Sequence, residues 1–243
     1  DFWREARTEI DKLKQDLFWL AECEEIAYHE VFDASYTWKF LHKMEAVWRK
    51  ESGLDGLDEV LQYYHSMFPP DAIRVYFTSN HDENSHSGSE YERMGQAAKA
   101  FAVICAMLPG MPMIYSGQEM PNYKRLAFFD KDPIPWTGQY ELHGFYKALL
   151  ECRKRNPALR GGDPATSMRR ITTGDGRRCF GFVRCLGLNE VLVLTNISGE
   201  PLTVPASDVQ VSGIFKDIFT GAEFHGDGAI EIEPWGYRVL ESR

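Results

Sequence analysis

The spacing of apolar residues divides this chain into two parts with different periods. Up to about Asn156, short apolar runs alternate with segments in which apolar residues recur every three or four positions. The short runs at 17–21, 73–79 and 112–115 are typical of buried strands, and the segments between them are typical of amphipathic helices. This alternation predicts a parallel sheet with helical crossovers.

Helical spacing is clearest in five segments, at 2–13, 38–48, 54–64, 89–108 and 142–149. Ser89, followed three residues later by Glu92, predicts a capping box at the start of one helix. Glu45 is a polar exception on an otherwise apolar face. The last helix is expected to stop before Asn156-Pro157, because a residue before proline disfavours helical geometry.

The pattern changes near Pro157, after which short apolar runs alternate with turn residues. The runs at 168–172 and 178–184 flank Thr173-Gly174-Asp175-Gly176, which predicts a hairpin. Further runs at 191–196, 202–204, 213–219, 229–233 and 237–240 predict an antiparallel β-sandwich of about seven strands. We therefore predict an α/β domain over residues 1–157 and an all-β domain over residues 158–243.

Candidate chemistry lies where two of the predicted strands end. Glu22 follows the run 17–21, and Asn80-His81-Asp82 closes the run 73–79. In parallel α/β barrels the carboxyl ends of strands carry the reactive groups. Paired carboxylates are what glycosidic bond cleavage requires. Alone, Glu22 could equally be an exposed member of an acidic cluster, and His81 could be structural.

Three segments carry a resemblance to a known family. Trp19-Leu20-Ala21-Glu22, Phe77-Thr78-Ser79-Asn80-His81-Asp82 and the segment 109–119 resemble, in the same order, strand motifs of the α-amylase superfamily of retaining glycoside hydrolases. Phe32-Asp33 resembles that family's short sixth strand. The resemblance implies the second half of a TIM (β/α)8 barrel, about four βα units, followed by the C-terminal β-domain.

The resemblance also implies roles for the residues at the strand ends. Glu22 matches the family's acid/base, and Asp82 matches the carboxylate that stabilises the transition state. His81 matches a residue that hydrogen-bonds the sugar at the cleaved bond. The substrate class implied is the α-1,4-glucans, either oligosaccharides or polysaccharides.

Several neighbouring residues are weaker candidates for substrate contact. Asn80 is expected to orient the loop more than to touch sugar. Glu83, Asn84 and His86 could line the cleft or simply be solvated. Trp136 could stack on a glucose unit or pack over the last helix.

One part of the family's machinery has no counterpart here. The resemblance implies an aspartate nucleophile in a Gly-x-Arg-x-Asp strand, and that pattern is absent from the sequence. We therefore expect a C-terminal portion of a longer enzyme, inactive as an isolated chain. Branching, debranching and other transglycosylating enzymes share these motifs, and a non-catalytic glucan-binding relative is the alternative. Four units leave two open sheet edges, which favours self-association.

Composition narrows the partners further. The formal net charge of -9 disfavours nucleic acid and anionic membranes. No apolar run approaches the roughly 20 residues of a membrane span. Five cysteines without zinc spacing predict reduced thiols. No cofactor is expected in this segment, since the family's usual calcium site depends on upstream residues, and a chain that begins at Asp1 leaves localisation unknown.

Overall fold

A computed structural model describes residues 2–242. Its first part contains four short strands: β1 (Leu20–Ala21), β2 (Ala34–Tyr36), β3 (Ile73–Tyr76) and β4 (Met111–Pro112). The helices of this part are α1 (Phe2–Asp11), α2 (Trp38–Trp48), α3 (Asp55–Met67), α4 (His81–Ser87), α5 (Glu90–Met94), α6 (Ala98–Met107) and α7 (His143–Arg155). Three 3₁₀ turns lie at Ile26–Glu30, Gly95–Ala97 and Pro157–Leu159.

The four strands form one sheet in the order β1-β2-β3-β4, and every pair is parallel. Chain order and spatial order agree, as successive βα units require. The result is a partial barrel whose strands all end at the same edge. The prediction of an incomplete (β/α)8 barrel is therefore confirmed.

The structure departs from the sequence pattern in three respects. The ladders are shorter than the apolar runs, and the sixth-strand resemblance at Phe32-Asp33 lies just before the observed strand. The helix expected over 89–108 is divided at Gly95, which has φ +51°, between α5 and α6. A Cβ on Gly95 would meet the Trp48 ring at 2.0 Å, so this close contact needs glycine.

The second part is an antiparallel β-structure. Its strands are β5 (Ser167–Ile171), β6 (Cys179–Leu186), β7 (Asn189–Asn196), β8 (Leu202–Val204), β9 (Ile214–Asp217), β10 (Glu223–His225), β11 (Ile230–Ile232) and β12 (Tyr237–Ser242). One sheet has the order β10-β9-β12-β7-β6-β5, and β8 pairs with β11 in a second. The pattern missed β10 and the short helix α8 (Ala206–Val209), since neither has an apolar run of its own.

Alternation along β6 and β7 gives the larger sheet two buried faces. One face packs on the two-stranded sheet, through side chains such as Val183 and Leu192. The other face packs on the partial barrel, where Phe180, Phe182 and Val193 join the core of the first part. A shared core fixes the β-structure against the helices α6 and α7, while the domain boundary at residue 157 stays a prediction.

Two further sequence expectations concern the whole chain. All five cysteines are free thiols, three of them buried. Within residues 2–242, no helix combines the length and the apolar character needed to cross a membrane.

Candidate active site

Three side chains from two strand ends converge at the carboxyl edge of the parallel sheet. Glu22 follows β1, and His81 and Asp82 open α4 after β3. His81 Nε2 lies 3.6 Å from Glu22 Oε1 and 3.4 Å from Asp82 Oδ1. Residues 60 positions apart in the chain therefore meet because neighbouring parallel strands end side by side.

These three side chains remain accessible to a ligand. The exposed fractions are 46% for Glu22, 56% for His81 and 37% for Asp82. Their ligand atoms lie within 4.8 Å of one another, and within residues 2–242 no other group of at least three His, Cys, Asp or Glu side chains converges in this way. Two carboxylates about one imidazole can exchange protons with a bound substrate and stabilise positive charge on it.

Asn80 helps to position this cluster by capping the helix that carries His81 and Asp82. Its side-chain oxygen accepts hydrogen bonds from the backbone N–H of Asp82 at 3.1 Å and of Glu83 at 2.7 Å, so it caps α4. With 1% exposure, Asn80 supports the expected loop-orienting role. Direct contact between Asn80 and sugar stays a prediction.

Glu83 points toward a buried cation. Its carboxylate lies 3.9 Å from Arg93, which donates to the carbonyl oxygens of Thr78 at 2.6 Å and Gly88 at 2.9 Å. Arg93 also pairs at 2.5 Å with Glu45, the polar exception on α2. This network fixes the loop between β3 and α5, so the structure supports Glu83 as a support residue, and its predicted sugar contact is untested.

Gln118 links the ends of β3 and β4. Its amide nitrogen donates to Thr78 Oγ1 at 3.0 Å and to Glu90 Oε1 at 3.2 Å, and its oxygen accepts from the backbone N–H of Tyr115 at 2.8 Å. Burial raises the pKa of the Glu90 carboxyl, and the hydrogen bond from Gln118 opposes that rise. The sequence motif contained Gln118 but gave it no role.

Tyr36 is a further candidate site residue, one that the sequence analysis missed. It ends β2, and its ring lies 5.0 Å from Phe77 and 5.6 Å from Trp38. Burial raises the pKa of the Tyr36 phenol, and the negative charges of Glu22 and Asp82 add to the rise. Its position at the end of a strand could have identified it. The sixth strand was predicted at residues 32–33, so Tyr36 was not recognised as a strand end.

Trp136 lies away from these contacts, in the segment between β4 and α7. Trp136 is 55% exposed, and within residues 2–242 its ring packs on no other aromatic ring. It is available for a ligand, but nothing joins it to the cluster. Its role in sugar stacking stays a prediction.

Comparison with known proteins identifies the family. A family model described as "Alpha amylase, catalytic domain" matches residues 1–132. The matched range includes Glu22, His81 and Asp82 and spans the four parallel strands. The chain belongs to the α-amylase family. The β-structure from Ser167 onward lies beyond the matched range.

Curated relatives agree with this membership. The α-amylase MalA of Haloarcula japonica is 28% identical over 170 residues, covering 68% of this chain and 24% of that protein. The cyclomaltodextrinase of Geobacillus thermopakistaniensis is 23% identical over 257 residues, covering 97% of this chain and 42% of that protein. The chain therefore spans less than half the length of these relatives.

Solved structures show the same fold over the whole chain. A maltogenic α-amylase, AmyB, from Thermotoga neapolitana superposes with a TM-score of 0.82 at 19% identity, covering 100% of this chain and 58% of that one. An α-amylase from Lactobacillus plantarum gives a TM-score of 0.81 at 19% identity, covering 100% of this chain and 60% of that one. Partial barrel and β-structure are thus arranged as in these enzymes.

Proposed function

We propose that this chain supplies the acid/base and the transition-state-stabilising carboxylate of a retaining glycoside hydrolase that acts on α-1,4-glucans. The observation that carries this proposal is the convergence of Glu22 and Asp82 about His81 at the carboxyl edge of the sheet. Family membership supplies the reaction class, and the accessible cluster supplies the chemical groups.

In this proposal Glu22 is first a proton donor and then a proton acceptor. It first donates its proton to the oxygen of the leaving sugar as the glycosidic bond breaks. In the second half of the reaction it takes a proton from the attacking water, which hydrolyses the glycosyl-enzyme intermediate. Asp82 stabilises the positive charge that develops on the sugar ring, and His81 hydrogen-bonds the same sugar.

The covalent intermediate requires a third carboxylate, which the cluster described within residues 2–242 does not contain. We therefore propose that the isolated 243-residue chain releases no reducing sugar from starch. A release rate typical of an amylase would overturn this assignment of roles.

The roles are tested by substitution in the complete enzyme that contains this chain. Glu22→Gln and Asp82→Asn are expected to lower kcat for soluble starch by about 10²–10⁴-fold. Glu25→Gln is the matched control, because Glu25 is an exposed carboxylate of the same acidic cluster. Unchanged activity in Glu22→Gln, or equal losses in Glu22→Gln and Glu25→Gln, would contradict the proposal and favour a non-catalytic glucan-binding relative.

Transfer to a second sugar chain is the other candidate reaction. A 4-alpha-glucanotransferase of Thermotoga neapolitana is 28% identical over an alignment of 153 residues, covering 59% of this chain and 33% of that protein. Hydrolysis and transfer share the acid/base step and differ in whether water or a sugar hydroxyl attacks the intermediate. Incubation with maltoheptaose separates them, because transfer forms products longer than the substrate and hydrolysis does not.

The open sheet also leads us to propose self-association. Leu13, Phe18, Leu20 and Met111 expose 88%, 51%, 41% and 37% of their surface, and the last two belong to the edge strands β1 and β4. Unpaired edges and exposed apolar side chains favour association. Sedimentation velocity is expected to show a concentration-dependent dimer or larger species, and a monomer at all concentrations would contradict it.

A further inference from the structure

Two adjacent phenylalanines stand out on the surface of the segment between β4 and α7. Phe128 is 44% exposed and Phe129 is 91% exposed, and their rings meet edge to face at 4.7 Å. Exposing two phenyl rings side by side is unfavourable unless something covers them. The surrounding contacts hold the backbone of the loop that carries these rings.

Asn84 forms the first anchor. Its side chain lies on α4 with 1% exposure, donates to the carbonyl oxygen of Lys124 at 3.1 Å and accepts from the backbone N–H of Leu126 at 2.9 Å. A buried amide that satisfies two backbone groups of another segment fixes that segment firmly. The loop that carries the phenylalanines is thereby tied to the helix that carries Asp82.

Arg125 and Lys124 provide the second set of anchors. The Arg125 guanidinium donates to the carbonyl oxygens of Ser85, at 2.9 Å, and His86, near the C-terminus of α4. Lys124 pairs with Asp132, whose other oxygen accepts from the backbone N–H of Ala127 at 3.0 Å. The hydrogen bond from Lys124 lowers the pKa of the Asp132 carboxyl. The loop is therefore closed on itself as well as tied to α4.

The rings also connect to the reactive cluster through α4. His86 follows Asp82 by four positions, so both lie on one face of the helix, about 6 Å apart along its axis. The His86 ring lies 4.0 Å from the Phe128 ring. Phe128 and Phe129 thus extend the surface that begins at His81 and Asp82.

We propose that Phe128 and Phe129 form an aromatic platform beside the site where Glu22 and Asp82 hold the glycosidic bond. The platform binds other glucose units of the glucan chain that is being cleaved. The apolar face of a glucose ring, lined by C–H groups, packs well on a flat aromatic ring. A neutral glucan needs no countercharge, and two charged groups of the loop, Lys124 and Asp132, pair with each other. The platform would favour longer glucans, since only these reach both sites.

This inference rests on the proposed function, and the anchoring gives it a physical basis. A loop fixed before substrate arrives loses less conformational entropy on binding. The competing explanation is that the rings pack against another part of a longer protein. The Phe128 ring contacts His86 on the helix that carries His81 and Asp82, which favours a glucan as the ligand. A measurement of ligand binding separates the two explanations.

The test is calorimetric titration of the 243-residue chain with maltoheptaose and, separately, with maltose. Phe129→Ala is expected to raise the Kd for maltoheptaose by about tenfold and the Kd for maltose by less than about twofold. Phe2→Ala is the matched control, since Phe2 is 71% exposed on α1, outside this loop. Arg125→Met, which removes the Arg125 hydrogen bonds to α4 and leaves those of Asn84, is expected to weaken maltoheptaose binding by a smaller factor.

The outcomes distinguish this inference from the proposed function. If the unmodified chain binds neither sugar, the platform is wrong, whereas the roles of Glu22 and Asp82 are decided by the substitutions in the complete enzyme. If it binds both and Phe129→Ala leaves the Kd for maltoheptaose unchanged, the platform alone is wrong. Equal weakening for both sugars would also overturn it, because a platform beside the cluster acts on longer chains. Circular dichroism confirms that each variant is folded.

Discussion

Two groups of charged side chains in this molecule have opposite surroundings. At the carboxyl edge of the parallel sheet, Glu22, His81 and Asp82 are partly exposed, and His81 Nε2 lies 3.6 Å from Glu22 and 3.4 Å from Asp82. At the C-terminus of α6, Arg153 and Arg184 donate hydrogen bonds to backbone carbonyl oxygens. The first group is accessible to a ligand, and the hydrogen bonds of the second group stabilise the fold.

The arginine pair shows how a buried cation is accommodated without a carboxylate. Arg184 is fully buried on β6 and donates to the Met107 carbonyl at 3.1 Å and to Thr166 Oγ1 at 3.2 Å. Arg153 donates to the Ala106 carbonyl at 2.7 Å. Burial lowers the pKa of each arginine to about 10, and the negative end of the helix dipole offsets part of that cost.

The difference shows that charge density alone does not indicate function. A buried charged group that donates to carbonyl and hydroxyl oxygens of the fold stabilises one arrangement of the two parts. A charged group that is accessible and only loosely paired can respond to a substrate. Substitutions in the two places should therefore separate stability from activity.

The largest expected effect on stability is at Arg184. Arg184→Ala should lower the free energy of unfolding by about 3–5 kcal/mol, because it opens a cavity and leaves the Met107 carbonyl unpaired. Arg184→Met keeps most of the volume and should cost about 1–3 kcal/mol. Urea denaturation measures both, with Arg177→Met as the exposed control, expected to change the value by less than about 0.5 kcal/mol. Equal stability of Arg184→Ala and the unmodified chain would contradict the structural role.

A smaller, pH-dependent effect is expected at Glu90. Its folded-state pKa is raised by burial, so the folded protein binds a proton more tightly than the unfolded chain does. This group therefore favours folding at low pH, and that contribution is lost as the pH rises from the ordinary glutamate pKa through the raised folded value. Glu90→Gln should be more stable than the unmodified chain at pH 7.

That advantage should disappear near pH 4, where the carboxyl is protonated in both states. Thermal unfolding across this pH range measures it, and Glu59→Gln, an exposed change on α3, controls for the loss of one negative charge. A gain in stability that does not depend on pH would show that burial of Glu90 is not its cause.

The smallest expected effect on stability is at Glu22. Glu22→Gln should change the free energy of unfolding by less than about 0.5 kcal/mol, because the carboxylate is 46% exposed and lies 3.6 Å from His81 Nε2. The same denaturation experiment measures it beside Arg184→Ala. A loss above about 1 kcal/mol would move Glu22 into the group of structural charges and remove the contrast between the two places.

Much of the site could be predicted from sequence because its residues are tied to local patterns. Glu22 directly follows one apolar run and Asp82 comes three positions after another, and the edge of a parallel sheet brings such positions together. The capping box of Ser89 and Glu92 is also local, and the structure contains it. Tyr36 was missed because β2 is only three residues long, which is too short to show an alternation of apolar and polar residues.

The sequence by itself determined the order of the βα units, the change to β-structure after Pro157 and the positions of the candidate carboxylates, since these depend on spacing along the chain. Only the tertiary structure decided which charged groups are buried and what satisfies them. Arg93 meets Glu45, 48 positions away, and Arg184 meets the Met107 carbonyl, 77 positions away. Such partners are chosen by the packing of whole elements, and no local pattern of residues encodes that choice.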